Sequence, residues 1–260
     1  MFEGNQTTLV LLNYMRPQNV QRILRSVDSI SCISEVMVLH QLPQTLIQYT
    51  SNVKTVRHFK AYNKEKYGCA NRYFYAPLAQ NQFVLFFDDD VLPSQNVIDD
   101  MVRALRSGHK HVGPFGRTCD ELGYVPGIGR GRRLDALAGK MTMTHRWLTE
   151  DFNANMEFYM DDLLNSHGRV DDVLFSIHNR RVTRTLPKEV KGLVMGLPTG
   201  NVGMEKSLRH SRQRDIVCKI HSPGFSLMRG CINQKSSLCS VQVQLNCTKQ
   251  IKEGESIYGF

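Results

Sequence analysis

Nothing in the 260 residues approaches the run of roughly 18 apolar residues that a membrane span needs. The opening MFEGNQTTLVLLNYMRP has no basic region ahead of its short apolar stretch, so it does not read as a secretory leader, and a cytoplasmic protein is expected. The seven cysteines, Cys32, Cys69, Cys119, Cys218, Cys231, Cys239 and Cys247, are odd in number and include no Cys-x-x-Cys pair. Zinc-ribbon and thioredoxin-like motifs are thereby excluded, and mostly free thiols are the simplest expectation. The sequons at Asn5 and Asn246 matter only in a secretory compartment. No P-loop, GxSxG elbow or HExxH helix occurs, and the histidines, His178 and His210 among them, show no metal-ligand spacing. Gly127-Ile128-Gly129-Arg130-Gly131 imitates part of a dinucleotide fingerprint, but no clear strand precedes it and no helix follows. Aromatic residues are scarce at 8%, and there is no RNA-binding signature.

The composition that remains, 41% hydrophobic and 22% charged, is that of a folded protein with a substantial core. It excludes collagen-like, disordered and disulfide-stapled miniature classes. Lys and Arg outnumber Asp and Glu by 33 to 24, a formal net charge of +9. Anionic partners follow from that charge, whether nucleic acid, membrane surface, nucleotide phosphates or acidic glycans.

The first ninety residues alternate strand and helix patterns. Thr8–Leu12 is a continuous apolar run, as in a strand buried on both faces. Pro17 then opens a helix with Val20, Ile23, Leu24 and Val27 on one side. Glu35–His40 and Val53–His58 predict the second and third strands, and Phe83–Phe87 the strongest one. Pro93 and Ser94 introduce a helix with Val97, Ile98, Met101, Val102 and Leu105 on its apolar face. This βαβ rhythm predicts a mostly parallel α/β sheet. Beyond Gly113 the pattern loosens: Gly123–Gly131 reads as a long flexible loop, Lys140–Trp147 as a strand, and Asp171–Arg181 as a helix. No internal repeat or clean linker appears, so residues 1–260 read as one domain with a nucleotide-binding front half.

Asp88-Asp89-Asp90 follows directly on the buried Phe83–Phe87 run. In open α/β sheets ligands collect at the carboxyl ends of the strands, and carboxylates there suit a hard cation, Mg2+ or Mn2+, held together with substrate phosphates. If the triplet is extended, Asp88 and Asp90 point the same way and share one metal, while Asp89 faces elsewhere. The plainer alternative is an acidic turn whose last Asp caps the next helix. Asp171-Asp172 opens the helical pattern VDDVLFSIHNRRV. It reads either as helix-start charge complementing the macrodipole or as a catalytic carboxylate pair opposite the metal. Asn71-Arg72 offers a guanidinium that could clamp a diphosphate, or else a solvated surface pair. Arg209, Arg212 and Arg214 form a basic run that would close over phosphates or stay in solvent.

In order, Asn13-Tyr14-Met15-Arg16, Cys69-Ala70-Asn71-Arg72-Tyr73-Phe74, Leu85–Val91 around the triple aspartate, Val112-Gly113, Ala138-Gly139 and Val170-Asp171-Asp172-Val173 resemble the motifs of exostosin-like glycosyltransferases, over roughly residues 7 to 220. The resemblance implies a GT-A fold: a Rossmann-like, mixed but mostly parallel sheet flanked by helices. Residues 7–110 would be its nucleotide-sugar-binding half, 111–220 its acceptor and catalytic half, and 221–260 a C-terminal tail. It implies a UDP-sugar donor, a glycan hydroxyl acceptor, retention of configuration, and Mn2+ or Mg2+ on Asp90 and Asp88. By the same resemblance Arg16, Asn71, Arg72, Asp88, Asp89, Gly139 and Arg214 (or Arg212) serve the donor. Asp172, with Asp171 where the family has Glu, lies near the reacting carbon. The chain departs from the family at Met15, at His40-Gln41 in place of paired Asn, and at Val170 in place of a cysteine, so the disulfide formed there is not expected.

Two other readings compete. A two-metal phosphotransferase or nuclease would use the same aspartates on both ions. A non-catalytic basic module would bind nucleic acid or acidic glycan in a salt-dependent way. Acids at the mouth of the sheet and few aromatics place both behind the transferase, and no nucleic-acid partner and no membrane span are expected.

Overall fold

The computed structural model describes residues 6–61, 63, 67–120, 123–126, 134–198 and 213–218. A seven-stranded sheet runs through them in the order β11-β6-β10-β4-β1-β2-β3. Its strands are β1 (Thr7–Asn13), β2 (Ile33–His40), β3 (Thr55–Lys60), β4 (Phe83–Phe87), β6 (His111–Gly113), β10 (Met141–His145) and β11 (Lys188–Glu189). β1 pairs in parallel with β2 and β4, and β2 with β3; β10 runs antiparallel between β4 and β6. Smaller pairings join β5 (Val91–Pro93) to β12 (Val194–Gly196), and β7 (Gly116–Asp120) to β8 (Gly123–Pro126) and β9 (Ala136–Leu137). The helices are α1 (Pro17–Val27), α2 (Asn71–Tyr75), α3 (Gln95–Arg106), α4 (Arg146–Ala154), α5 (Met160–Asn165) and α6 (Asp171–Thr183), with residues 213–218 also helical.

The continuous apolar runs explain the layering. Side chains alternate across a strand, so Leu9, Leu11, Val36, Val38, Leu85 and Phe87 face one layer with α1 and α3. Val10, Leu12, Met37, Leu39, Val84 and Phe86 face the other, against Tyr73, Phe152 and Phe175. α1 buries Val20, Ile23, Leu24 and Val27, and α3 buries Val97, Ile98, Met101, Val102 and Leu105, the residues their 3.6-residue spacing selects. Each such side chain contributes about 1.5–3 kcal/mol of transfer free energy. The register sets Leu11 beside both Val38 and Phe87. The carboxyl ends of β1, β2 and β4 therefore finish together, with Tyr14 and Arg16 next to Asp88–Asp90.

Several expectations are corrected. The third strand lies two residues later than Val53–His58, at Thr55–Lys60. Part of the expected loop at Gly123–Gly131 is instead strand β8, and the rest lies outside the described residues. Cys119 and Cys218 form a disulfide with Cα atoms 5.3 Å apart, while Cys32 and Cys69 are free thiols. Disulfides persist in oxidising surroundings, so this bond weighs against the cytoplasmic expectation. No helix among the described residues is long and apolar enough to cross a membrane. Asn5, Asn246, His210, Cys231, Cys239, Cys247 and the tail from residue 221 lie outside the described residues.

His111 on β6 is 3% exposed, lies edge-on to Phe175, and has no hydrogen-bond partner for either ring nitrogen among the described residues. Burial pushes its pKa down to about 3. Burial, with the neighbouring His58, likewise pushes His40 down to about 4. The unfolded chain takes up these protons near pH 6.5 and the folded chain does not, so stability is full above that pH and is lost as pH falls through it. Urea unfolding should show a loss of about 2 kcal/mol per such histidine between pH 6.5 and 5, and His111→Leu should remove its share of that slope.

Candidate active site

The triple aspartate leaves β4 as a turn, not as more strand, so the alternation of an extended segment does not apply to it. The three carboxylates part company. Asp88 accepts a 2.8 Å bond from Arg72 Nη2. Asp89, 4% exposed, accepts the Tyr14 backbone N–H at 3.3 Å and pairs with Arg16. Asp90 Oδ2 lies 3.7 Å from Lys140 Nζ, while its Oδ1 is buried with no hydrogen-bond partner among the described residues. Asn19 Nδ2 donates to the Asp89 carbonyl at 3.0 Å, and Leu197 N–H to the Asp90 carbonyl at 2.8 Å, which pins the turn. Burial raises the pKa of Asp88 against the opposing pull of Arg72, and the nearby charge of Asp90 adds to the rise.

Arg72 is the hub. It sits on α2, 2% exposed, and donates to the Gly139 carbonyl at 2.7 Å, to Asp88, and through Nε to the Cys69 carbonyl at 3.1 Å. The same Nε lies 3.3 Å from Asp171 Oδ2. Asn71 is buried beside it and donates to the Gly68 carbonyl at 3.0 Å. A backbone crossing brings α2 and α6 this close. Gly68 and Gly168 have φ of +47° and +70°, and a Cβ on Gly168 would stand 1.8 Å from the Tyr67 carbonyl oxygen. A side chain on either glycine would push apart the two segments that lead into Arg72 and Asp171.

Asp171 and Asp172 occupy the first turn of α6, 3% and 2% exposed, where the macrodipole favours negative charge. Asp172 Oδ2 collects Arg214 Nη2 at 2.7 Å, the Gly139 N–H at 3.0 Å and the Tyr124 hydroxyl at 3.4 Å. Its Oδ1 accepts the Val173 N–H at 2.9 Å. This set fixes the Asp172 carboxylate in place. Asp171 has the Arg72 contact and little else; burial, aided by the charge of Asp172 and opposed by Arg72, pushes its pKa up to about 7. The pair is thus split by environment: four donors fix Asp172, while burial leaves Asp171 readier than an ordinary carboxylate to hold a proton.

Arg16, Arg72, Asp88, Asp89, Asp90, Gly139, Asp171, Asp172 and Arg214, all singled out in sequence, fall into this one constellation, with Asn71 alongside. Arg209 and Arg212 lie outside the described residues. Sequence reasoning missed Tyr124 and Lys140, which carry no local motif. Gln41, named in the sequence only as a departure from the family, lies at the carboxyl end of β2, 6% exposed and with both side-chain amide atoms unpartnered among the described residues. Its backbone N–H donates to the Asn13 carbonyl at 2.8 Å. Among the described residues, these five carboxylates stand with the cations of Arg16, Arg72, Lys140 and Arg214 at the mouth of the sheet. A separate cavity of about 410 Å³, lined by Asp151, Tyr159, His178 and Arg181, opens further along α6 and includes none of these residues.

Residues 7–236 match the glycosyl transferase family 64 domain. No curated protein matches the sequence at a significant level. Among solved structures, glucosyl-3-phosphoglycerate synthase from Mycobacterium tuberculosis, in complex with Mn2+, UDP-glucose and phosphoglyceric acid, aligns at 14% identity with a TM-score of 0.52, covering 84% of this chain and 79% of its own. 4-Diphosphocytidyl-2C-methyl-D-erythritol synthase from Anaerococcus prevotii aligns at 15% identity with a TM-score of 0.45, covering 84% of this chain and all of its own. The likeness to the first is one of fold: a GT-A architecture, with a mostly parallel sheet flanked by helices.

Replacing Arg72 tests the hub. Arg72→Met leaves Asp88 and Asp171 buried without their cation and should cost about 3–5 kcal/mol in chemical denaturation at pH 8. Both carboxyls then have folded pKa values above their unfolded ones, so protonation favours the folded state and the deficit should shrink at pH 5.

Proposed function

The chain belongs to glycosyl transferase family 64, and from that membership we propose that it is an exostosin-like, metal-dependent enzyme that moves a sugar from a UDP-sugar to a hydroxyl of a glycan acceptor with retention of configuration. The observation that carries the reading is the buried Oδ1 of Asp90, which has no hydrogen-bond partner among the described residues, in the turn that leaves β4 at the mouth of the sheet. A carboxylate oxygen buried without a partner is costly unless a ligand completes it. Oxygen donors from two carboxylates are the set that Mn2+ or Mg2+ takes together with phosphate oxygens. Asp88 and Asp90 therefore fit the cation, and the fold neighbour that binds Mn2+ and UDP-glucose supports the same use here.

When bound, the cation supplies Lewis-acid neutralisation of the charge that grows on the departing diphosphate. Arg214, whose buried Nε has no hydrogen-bond partner among the described residues, would add to this by donating to a phosphate oxygen. Arg16 holds Asp89, and Arg72 holds Asp88, so the carboxylates around the donor are oriented before it arrives. Asp172, fixed by its four donors, stabilises positive charge at the reacting carbon. Asp171 takes the acceptor's proton, for which its raised pKa suits it.

A panel of UDP-sugars with Mn2+ or EDTA, scored for UDP release and thermal shift, tests this. One donor should give UDP release and a raised Tm, both lost with EDTA and in Asp90→Ala. Asp172→Asn should keep the thermal shift while kcat falls about 10²-fold or more. The rate should decline as pH drops below about 7, as Asp171 takes up its proton. A protein that answers to no nucleotide sugar and instead binds DNA or RNA in a salt-sensitive way would sink the proposal.

A further inference from the structure

We infer that Tyr124 is a positioning residue that holds Arg214 against Asp172, so that the β7–β8 hairpin sets the geometry of the guanidinium that meets the donor's diphosphate. The inference rests on the transferase reading above and extends it to a residue outside the aspartate and arginine motifs.

Arg214 lies in the helical residues 213–218, and three tertiary links tie them to the same hairpin. Cys119 and Tyr124 are directly opposite across β7 and β8. Cys119 is bonded to Cys218. The Tyr124 backbone N–H donates to Asp215 Oδ1 at 2.6 Å. The third link is the Tyr124 side chain: its ring centroid lies 5.1 Å from Arg214 Cζ, and its hydroxyl donates at 3.4 Å to Asp172 Oδ2, the oxygen that also accepts from Arg214.

The first two links fix the helix, and the third fixes the guanidinium. An aromatic face attracts a cation without consuming any of its five N–H donors. Arg214 can thus stay anchored while its unpartnered Nε remains free for an incoming phosphate oxygen. A second carboxylate in the place of the ring would hold Arg214 more firmly but would occupy those donors. The ring is shared with Arg117, whose Cζ lies 5.8 Å from its centroid.

The test is a double-mutant cycle read with whichever UDP-sugar the wild type turns over. Tyr124→Leu keeps the backbone bond to Asp215 and the disulfide but removes the ring; kcat should fall about tenfold. Tyr124→Phe, which keeps the ring and loses the hydroxyl, should stay within about threefold of wild type. In an Arg214→Ala background Tyr124→Leu should add less than about twofold, because the residue it acts through is already gone. Tyr124→Met serves the same comparison if the leucine variant does not fold. An equal loss in both backgrounds, or a leucine variant as active as wild type, would overturn this inference and leave the transferase reading standing. A wild type that releases no UDP from any nucleotide sugar would overturn both.

Discussion

A guanidinium buried between carboxylates holds the mouth of the sheet together. Arg72 reaches Asp88 at the end of β4, Asp171 at the start of α6 and the carbonyl of Gly139 ahead of β10, three segments distant in sequence. Burying such a cation is expensive, and the attraction of its partners offsets the cost only when geometry and hydrogen bonding are nearly complete. Here they are. Each nitrogen of the guanidinium has an oxygen partner, and Gly139 passes the connection on, since its N–H donates to Asp172. The site is one connected network, not a set of separate charges, and a disturbance at one end is felt at the other.

The sheet makes that network affordable. β1, β2 and β4 are buried on both faces and finish in register, so polar groups that leave their carboxyl ends enter a shared space bounded by helices. Within it, environment divides the labour among chemically identical side chains. Asp172 is saturated with donors, while Asp171, one residue away, has the Arg72 contact and a pKa that burial pushes up. Asp89 is committed to Arg16 and the Tyr14 backbone, whereas Asp90 keeps an oxygen in reserve.

What sequence made legible follows the range of the forces involved. The strands and helices that position the site were readable because their signals are local: an unbroken apolar run at Leu9–Leu12 and Phe83–Phe87, and 3.6-residue spacing in α1 and α3. Ordered motifs marked Asn71, Arg72, the aspartates and Arg214. Partnerships were another matter. Nothing near Arg72 says that it reads as a buried hub and not as a surface pair, because Asp88, Gly139 and Asp171 lie 16, 67 and 99 residues away. The direction of each aspartate depends on a turn pinned by Asn19 and Leu197. Tyr124 and the Cys119–Cys218 bond escaped notice because the hairpin that carries them has weak local periodicity. The odd cysteine count and the lack of a Cys-x-x-Cys pair suggested mostly free thiols, yet Cys119 and Cys218 are bonded.

That disulfide closes over a sequence separation of 99 residues, and the interval has a consequence for biogenesis. At synthesis rates of about 5–20 residues per second, the Cys119 thiol leaves the ribosome on the order of 5–20 s before Cys218 exists. Cys32 and Cys69 are already made by then and are chemically able to capture it. In the folded chain burial pushes their thiols up to about 11 and about 12, respectively, which starves both of the thiolate that exchange requires. The finished fold thereby shields a bond that closes late from the two thiols that were made first.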